Sequence, residues 1–133
     1  MLHKKINFTN ERIHKEKNMR KELGKQGEEI AARYLKSHGY RVISRNFRSR
    51  YGEIDIICTD GRVVVFVEVK TRTSTNYGSP EESITKLKKE HIRKVALIYL
   101  ETYPQPFREI RFDVIGILME DNKPRINHLI AAF

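Results

Sequence analysis

Residues 53–70, EIDIICTDGRVVVFVEVK, decide the fold. They read as two strands folded back on each other. EIDIIC (53–58) is rich in β-branched residues, Asp60-Gly61 is a hairpin signal, and RVVVFVEVK (62–70) is the most apolar strand pattern in the chain. Its near-continuous run of valines predicts a central strand covered on both faces. Side chains alternate along a strand, so Val64, Phe66, Glu68 and Lys70 share one face and Val63, Val65, Val67 and Val69 the other.

Upstream, YRVISR (40–45) reads as a short strand and 46–52 as a turn. Residues 25–38 read as a helix, because Gly27, Ile30, Ala31, Tyr34, Leu35 and His38 recur at three- and four-residue spacing. Glu28 falls at the edge of that buried stripe. His38-Gly39 ends the helix. Downstream, 71–78 is a polar loop. Ser79 as N-cap, Pro80 and Glu82 form a capping-box start for a second helix reaching about residue 102. Ile84, Leu87, His91, Val95 and Ile98 are its expected buried stripe. Residues 109–118 and 125–131 read as two final strands around a polar turn at 120–124. The order αβββαββ predicts an α/β fold with a mixed sheet of about five strands flanked by helices. Residues 24–133 form this one domain. Residues 1–23 show no clear period and are expected to be a basic N-terminal extension, mobile or a frayed helix. The run after Met19 reads as a natural domain start.

The chain has 133 residues, with 26 Lys and Arg against 17 Asp and Glu, a formal charge of +9. Such a balance favours an anionic partner, nucleic acid first. Most of the excess lies in the first 78 residues. Within 41–52 stand Arg41, Arg45, Arg48 and Arg50, interleaved with Phe47 and Tyr51 and free of acids. That stretch suits a nucleic-acid face and equally a solvated, arginine-rich turn. No apolar run approaches the roughly 20 residues of a membrane span, and the N-terminus lacks the apolar core of a secretory signal. Neither helix has the form of a membrane-surface anchor, so no membrane partner is expected. The single cysteine, Cys58, excludes an internal disulfide and a cysteine-cluster zinc site. A cytoplasmic, reducing setting follows.

The chemistry gathers where the apolar strand turns ionic. A carboxylate at Glu68 is costly unless it is paired or bound to a metal. Antiparallel pairing across the hairpin can bring Asp55 beside it, and Glu28 can approach from the helix. Three acids and Lys70 leave a local deficit that one divalent cation neutralises, and hard oxygen ligands suit Mg²⁺ or Mn²⁺. A metal held beside a lysine and flanked by arginines is an arrangement for phosphodiester hydrolysis. The bland alternative is a structural Glu68–Lys70 ion pair with Asp55 paired to an arginine. Among secondary candidates, Glu53 shares the Asp55 face, which suits a further ligand or a residue just behind the ligands, with a solvated edge acid the favoured reading. Lys86 reads as a surface lysine, Lys88 lies nearer the buried edge, and His91 reads as a core histidine. Asp113 reads as a structural partner of Arg111 or of a loop amide, and Arg72 as a phosphate contact.

GKQGEEIAARYLKSHGYRVISRNFRSRYGEIDIICTDGRVVVFVEVKTR (24–72), RFDVIGI (111–117) and INHLIAAF (126–133) resemble the bacterial YraN-like proteins. The resemblance covers about residues 19–133. That family resembles the Holliday-junction-resolvase branch of the PD-(D/E)xK, or restriction-endonuclease-like, superfamily. The resemblance implies a restriction-endonuclease-like mixed sheet and a divalent metal. Asp55 and Glu68 would be the motif's acids, Lys70 its lysine, and Glu28 the helical glutamate. Ile54 stands where the motif carries a proline. Two functions are therefore expected. The first is a metal-dependent endonuclease for branched or structured DNA. In it, Asp55, Glu68 and Glu28 hold Mg²⁺ or Mn²⁺, and the Val69 carbonyl is a further ligand. Lys70 and Glu28 are catalytic, and Arg45, Arg48, Arg50, Arg72 and the 71–78 loop grip the backbone. The alternative is a nucleic-acid-binding module that keeps the fold without cleavage. A homodimer is expected by analogy with resolvases of two-fold junctions.

Overall fold

The computed structural model describes residues 2–74 and 78–133. The elements are α1 (Leu2–Ser37), β1 (Arg41–Ser49), β2 (Gly52–Asp60), β3 (Val63–Arg72), α2 (Lys86–Glu101), β4 (Glu109–Glu120) and β5 (Lys123–Leu129), with a short 3-10 turn at Glu81–Ser83. The five strands form one sheet in sequence order. β1–β2, β2–β3 and β4–β5 are antiparallel, and β3–β4 is parallel. A parallel pair cannot be joined by a tight turn, so the chain must cross over between β3 and β4. α2 lies in that crossover. The order αβββαββ and the mixed sheet of five strands agree with the sequence.

β3 is the middle strand, as its valine run requires. Its two faces build two separate cores. Val63, Val65 and Val67 join Ala31 and Leu35 of α1, Ile56 and Cys58 of β2, and Ile115 and Ile117 of β4. Val64 and Phe66 join Ile54, Ile57 and Phe112 with Ile92, Val95 and Ala96 of α2. Each fully buried aliphatic side chain contributes about 1.5–3 kcal/mol. The sheet is thus the middle layer of three, and both helices are held by apolar area.

Three local expectations change. β1 runs on to Ser49, through residues expected to turn, because Arg45, Phe47, Arg48 and Ser49 all find partners on β2. Asn46 tolerates the left-handed backbone (φ 54) that this run demands. The second helix does not start at Ser79. Residues 81–83 make only the 3-10 turn, although Ser79 N–H does donate to the Glu82 carboxylate at 3.4 Å. The true cap is Thr85, whose hydroxyl accepts from Lys88 N–H at 3.1 Å. Ile84 and Val95 are buried as expected, but Ile92 and Ala96 complete the buried face and Leu87 is 61% exposed. α1 begins at Leu2, well before the expected residue 25, and residues 10–22 of it are exposed. Among the described residues no helix is long and apolar enough to cross a membrane.

A buried polar knot fastens α1 and the turn after it to β4 and β5. Asp113, fully buried, accepts from Arg111 Nε at 2.8 Å and Nη2 at 2.9 Å, and from Ala131 N–H at 3.0 Å. His128 Nε2 lies 2.7 Å from its other side, and Tyr34 hydroxyl lies 3.1 Å from His128 Nδ1. Arg111 also donates to Tyr40 hydroxyl at 2.9 Å. Burial would raise the Asp113 carboxyl, but the hydrogen bonds from His128, Arg111 and Ala131 hold it below the usual carboxylate range. Asp113 is therefore the structural partner of both Arg111 and a loop amide.

Candidate functional site

The site forms where β2 and β3 part. Their ladder ends at Ile56↔Val67, so Asp55 and Glu68 are not a paired couple in the sheet. The strands splay one residue early, and a side chain takes over from the backbone. Asp55 Oδ2 accepts from Val69 N–H at 2.8 Å. That bond fixes the carboxylate at the mouth of the splay and satisfies a donor the ladder no longer reaches.

α1 delivers the second acid. Gly27 lets the helix lie directly on Thr71 at the end of β3, where a Cβ would overlap the threonine side chain. The next residue, Glu28, hydrogen-bonds Asp55. Its carboxyl is pushed up to about 7, first by burial, then by the charge of Asp55 and the shared hydrogen bond. Asp55 is itself raised by burial, against the pull of Val69 N–H and the Glu28 bond.

Glu53 is the third member. Ligand oxygens of Glu28, Glu53 and Asp55 all lie within 4.8 Å of one another. Glu53, expected as a solvated edge acid, therefore belongs to the cluster. Its signal is its place two residues before Asp55 on the same strand face. Glu68 lies outside that mutual set but feels it. Its carboxyl is pushed up to about 7 by burial and by the charge of Asp55, against the opposing pull of Lys88 and Lys70. Lys70 Nζ lies 3.6 Å and Lys88 Nζ 3.9 Å from Glu68 Oε1. Lys88 is thus a site residue, while Lys86 is exposed. His91 is half-buried and makes no ion pair among the described residues.

The arginines are partly engaged. Arg48 Nε holds Glu53 Oε2 at 2.9 Å, and Arg45 Nη1 holds Glu29 Oε2 at 2.9 Å. Arg50 lies over the Tyr51 ring at 4.9 Å, and Arg72 donates to Gly78 carbonyl at 2.7 Å. Arg41 faces a different cavity, lined by Tyr99 and Tyr103 at the other end of the sheet. Of the 71–78 loop, residues 75–77 lie outside the described residues. The donor set fits a hard divalent cation in kind: it is all oxygen, and its three ligand atoms lie within 4.8 Å of one another.

Comparison with other proteins bears on the chain as a whole. Residues 27–117 match the uncharacterised protein family UPF0102. The chain belongs to that family. A UPF0102 protein of Syntrophomonas wolfei is 53% identical over 115 residues, which are 86% of this chain and 100% of the relative. One from Nocardia farcinica is 46% identical over 112 residues, 84% of this chain and 88% of the relative. One from Geobacter metallireducens is 48% identical over 113 residues, 85% and 93% respectively. The match to UPF0102 spans Glu28, Glu53, Asp55, Glu68 and Lys70, and it bears out the YraN-like resemblance.

Proposed function

We propose that this UPF0102 protein is a metal-dependent endonuclease of the PD-(D/E)xK type, hydrolysing phosphodiester bonds in branched or structured DNA. The observation that carries the reading is the convergence of Glu28, Glu53 and Asp55 oxygens within 4.8 Å, beside a Glu68 that is paired with two lysines. Asp55, Glu28 and Glu53 would hold Mg²⁺ or Mn²⁺, with Glu68 at their flank. When bound, such an ion polarises the phosphoryl oxygen and acidifies a water.

The chain's own residues do the rest. Glu68 orients Lys70, whose ammonium meets the charge that develops on the phosphoryl group and aligns the attacking water. Glu28 would close the ion's shell from the α1 side, giving up its proton as the cation binds. Val69 N–H keeps Asp55 from turning away. Arg50 and Arg72 keep donors for backbone phosphates. A cytoplasmic setting, DNA as partner and a two-fold dimer belong to the same reading. The net charge of +9 supports DNA as the partner, and the presence of a single cysteine supports the setting.

The test is a panel of linear, nicked, flapped and four-way DNA, with and without Mn²⁺, on the wild type, Asp55→Asn and Lys70→Ala. The expected result is nicking that needs the metal and is lost in both variants. Metal-dependent cleavage that survives both changes overturns the reading. DNA binding without any cleavage at millimolar Mg²⁺ and Mn²⁺ assigns the chain to a binding module instead.

A further inference from the structure

Beyond Glu68 the same sheet face carries a feature that the carboxylate cluster does not use. The strand registers set Lys70 beside Gly116 and Asn127, and Arg72 beside Leu118 and Arg125. Residues directly opposite on neighbouring strands share a face, so both rows lie on the side that carries Glu68. Pro80 closes one wall by lying on Gly116, where any Cβ would meet its ring. The result is a cleft of about 290 Å³. Leu118 and Pro80 make its floor apolar, and Lys70, Arg72, Arg125 and Asn127 rim it. Among the described residues no carboxylate lines it. Ser79, in the same wall, has a buried hydroxyl without a hydrogen-bond partner among the described residues.

This combination selects a ligand. Three cations at one rim, of which only Lys70 is ion-paired among the described residues, call for an anion. Arg125 is exposed and makes no ion pair among the described residues, so its guanidinium is open to one. An apolar floor calls for a flat, weakly hydrated group. An amide offers both a donor and an acceptor to a polar edge. A nucleotide has all three parts: a phosphate, a base face and a base edge. In a duplex the base faces are stacked and the edges paired, so only an unpaired nucleotide can offer them together. Lys70 belongs both to the rim and to the Glu68 pair, which joins the cleft to the acidic cluster.

We infer that the cleft seats an unpaired nucleotide of a nucleic-acid strand, with the adjoining phosphate directed toward the Glu28–Glu53–Asp55 cluster. The substrate class is then a strand with a single-stranded nucleotide next to the reacting bond. The direction of the phosphate rests on the hydrolase reading above, whereas occupancy of the cleft does not.

The experiment uses the full chain in chelator, without metal and without cleavage. A single-stranded oligonucleotide carrying one 2-aminopurine is titrated by fluorescence, beside the same strand fully paired and beside free deoxyadenosine monophosphate. The single strand is expected to bind about tenfold more tightly than the duplex and to change the base-analogue signal, on the scale of one seated base. Arg125→Ala, on an exposed edge strand, is expected to weaken it several-fold. Leu118→Trp, which fills the cleft, is expected to abolish the signal change. Equal binding of single strand and duplex, unaltered by Arg125→Ala, overturns the proposal. A free mononucleotide that binds as tightly as the oligonucleotide overturns the assignment to a strand. Because no metal is present, failure here leaves metal-dependent cleavage standing, and failure of cleavage leaves this binding standing.

Discussion

Gly27 of α1 and Thr71 of β3 are in backbone-to-side-chain contact: a Cβ at position 27 would lie 2.8 Å from the threonine Cβ and overlap its hydroxyl. Rotating the threonine does not relieve a clash with its own Cβ. The helix or the strand end must shift, and Glu28 shifts with it. Gly27→Val is therefore expected to cost about 1–3 kcal/mol in urea unfolding and to weaken Mn²⁺ binding. Gly24, one turn earlier, has open space: nothing lies within 4 Å of the point where a Cβ would stand. Gly24→Ala should instead stabilise by about 0.5–1 kcal/mol. Equal effects at the two positions would contradict the packing described.

Three raised carboxyls make stability depend on pH. Glu28 and Glu68 are pushed up to about 7 from an ordinary 4.5, and Asp55 is raised as well. A fold that holds an acid in its protonated form is favoured fully below the unfolded value. That gain is lost as pH rises through about 7. The expected result in chelator is a Tm that falls between about pH 5 and about pH 8. Glu68→Gln should flatten the profile, and Mn²⁺ should restore stability at the alkaline end. A Tm that rises across this interval in chelator would contradict the site's electrostatics.

The polar knot predicts a larger effect of the opposite sign with pH. Asp113→Asn leaves Arg111 and the His128 ring with a neutral partner in a dry place. The expected loss is about 3–5 kcal/mol, read by denaturant unfolding. Because the Asp113 carboxyl is held below its ordinary 3.8, its contribution is present above that value and disappears as pH falls through the native one. Acid unfolding of the wild type should therefore be steep, and that of the variant shallow.

Glu53 separates a ligand from a salt-bridge partner. Arg48 competes for its carboxylate at 2.9 Å. If Glu53 contributes to cation binding, Glu53→Gln weakens Mn²⁺ binding by about tenfold, on the scale of one charge-assisted contact, and Arg48→Ala tightens it. Calorimetric titration of both variants gives the answer. Unchanged affinity in Glu53→Gln removes Glu53 from the site.

Much of this is legible in the sequence, and the rest is hidden for identifiable reasons. The β2–β3 hairpin and the central place of β3 follow from Asp60-Gly61 and the valine run. So does the face shared by Glu68 and Lys70. The phase of α2 does not follow, because Ser79, Pro80 and Glu82 form a real capping pattern that closes only a 3-10 turn. Thr85 then caps a helix in which Leu87 is exposed and Ile92 buried. Within the site, Asp55, Glu68, Glu28 and Lys88 are visible as acids or lysines near an apolar face. The Asp55–Val69 bond is not, because it depends on two strands parting a residue early. No local pattern announces that. Glu53 reads as solvated because an acid at a strand's edge usually is, and only the packing of α1 brings Glu28 to within 4.8 Å of it.

Cys58 lies in the α1-side core with no exposed surface, and burial pushes its thiol up to about 12. As the chain's sole cysteine, it gives the molecule an internal clock. A thiol reagent gains access only when the sheet opens, so its labelling rate times the opening of β2 from its neighbours. The same silence in the native state lets a cysteine placed at an exposed position, such as Met19 or Arg125, carry a single probe without competition from the core.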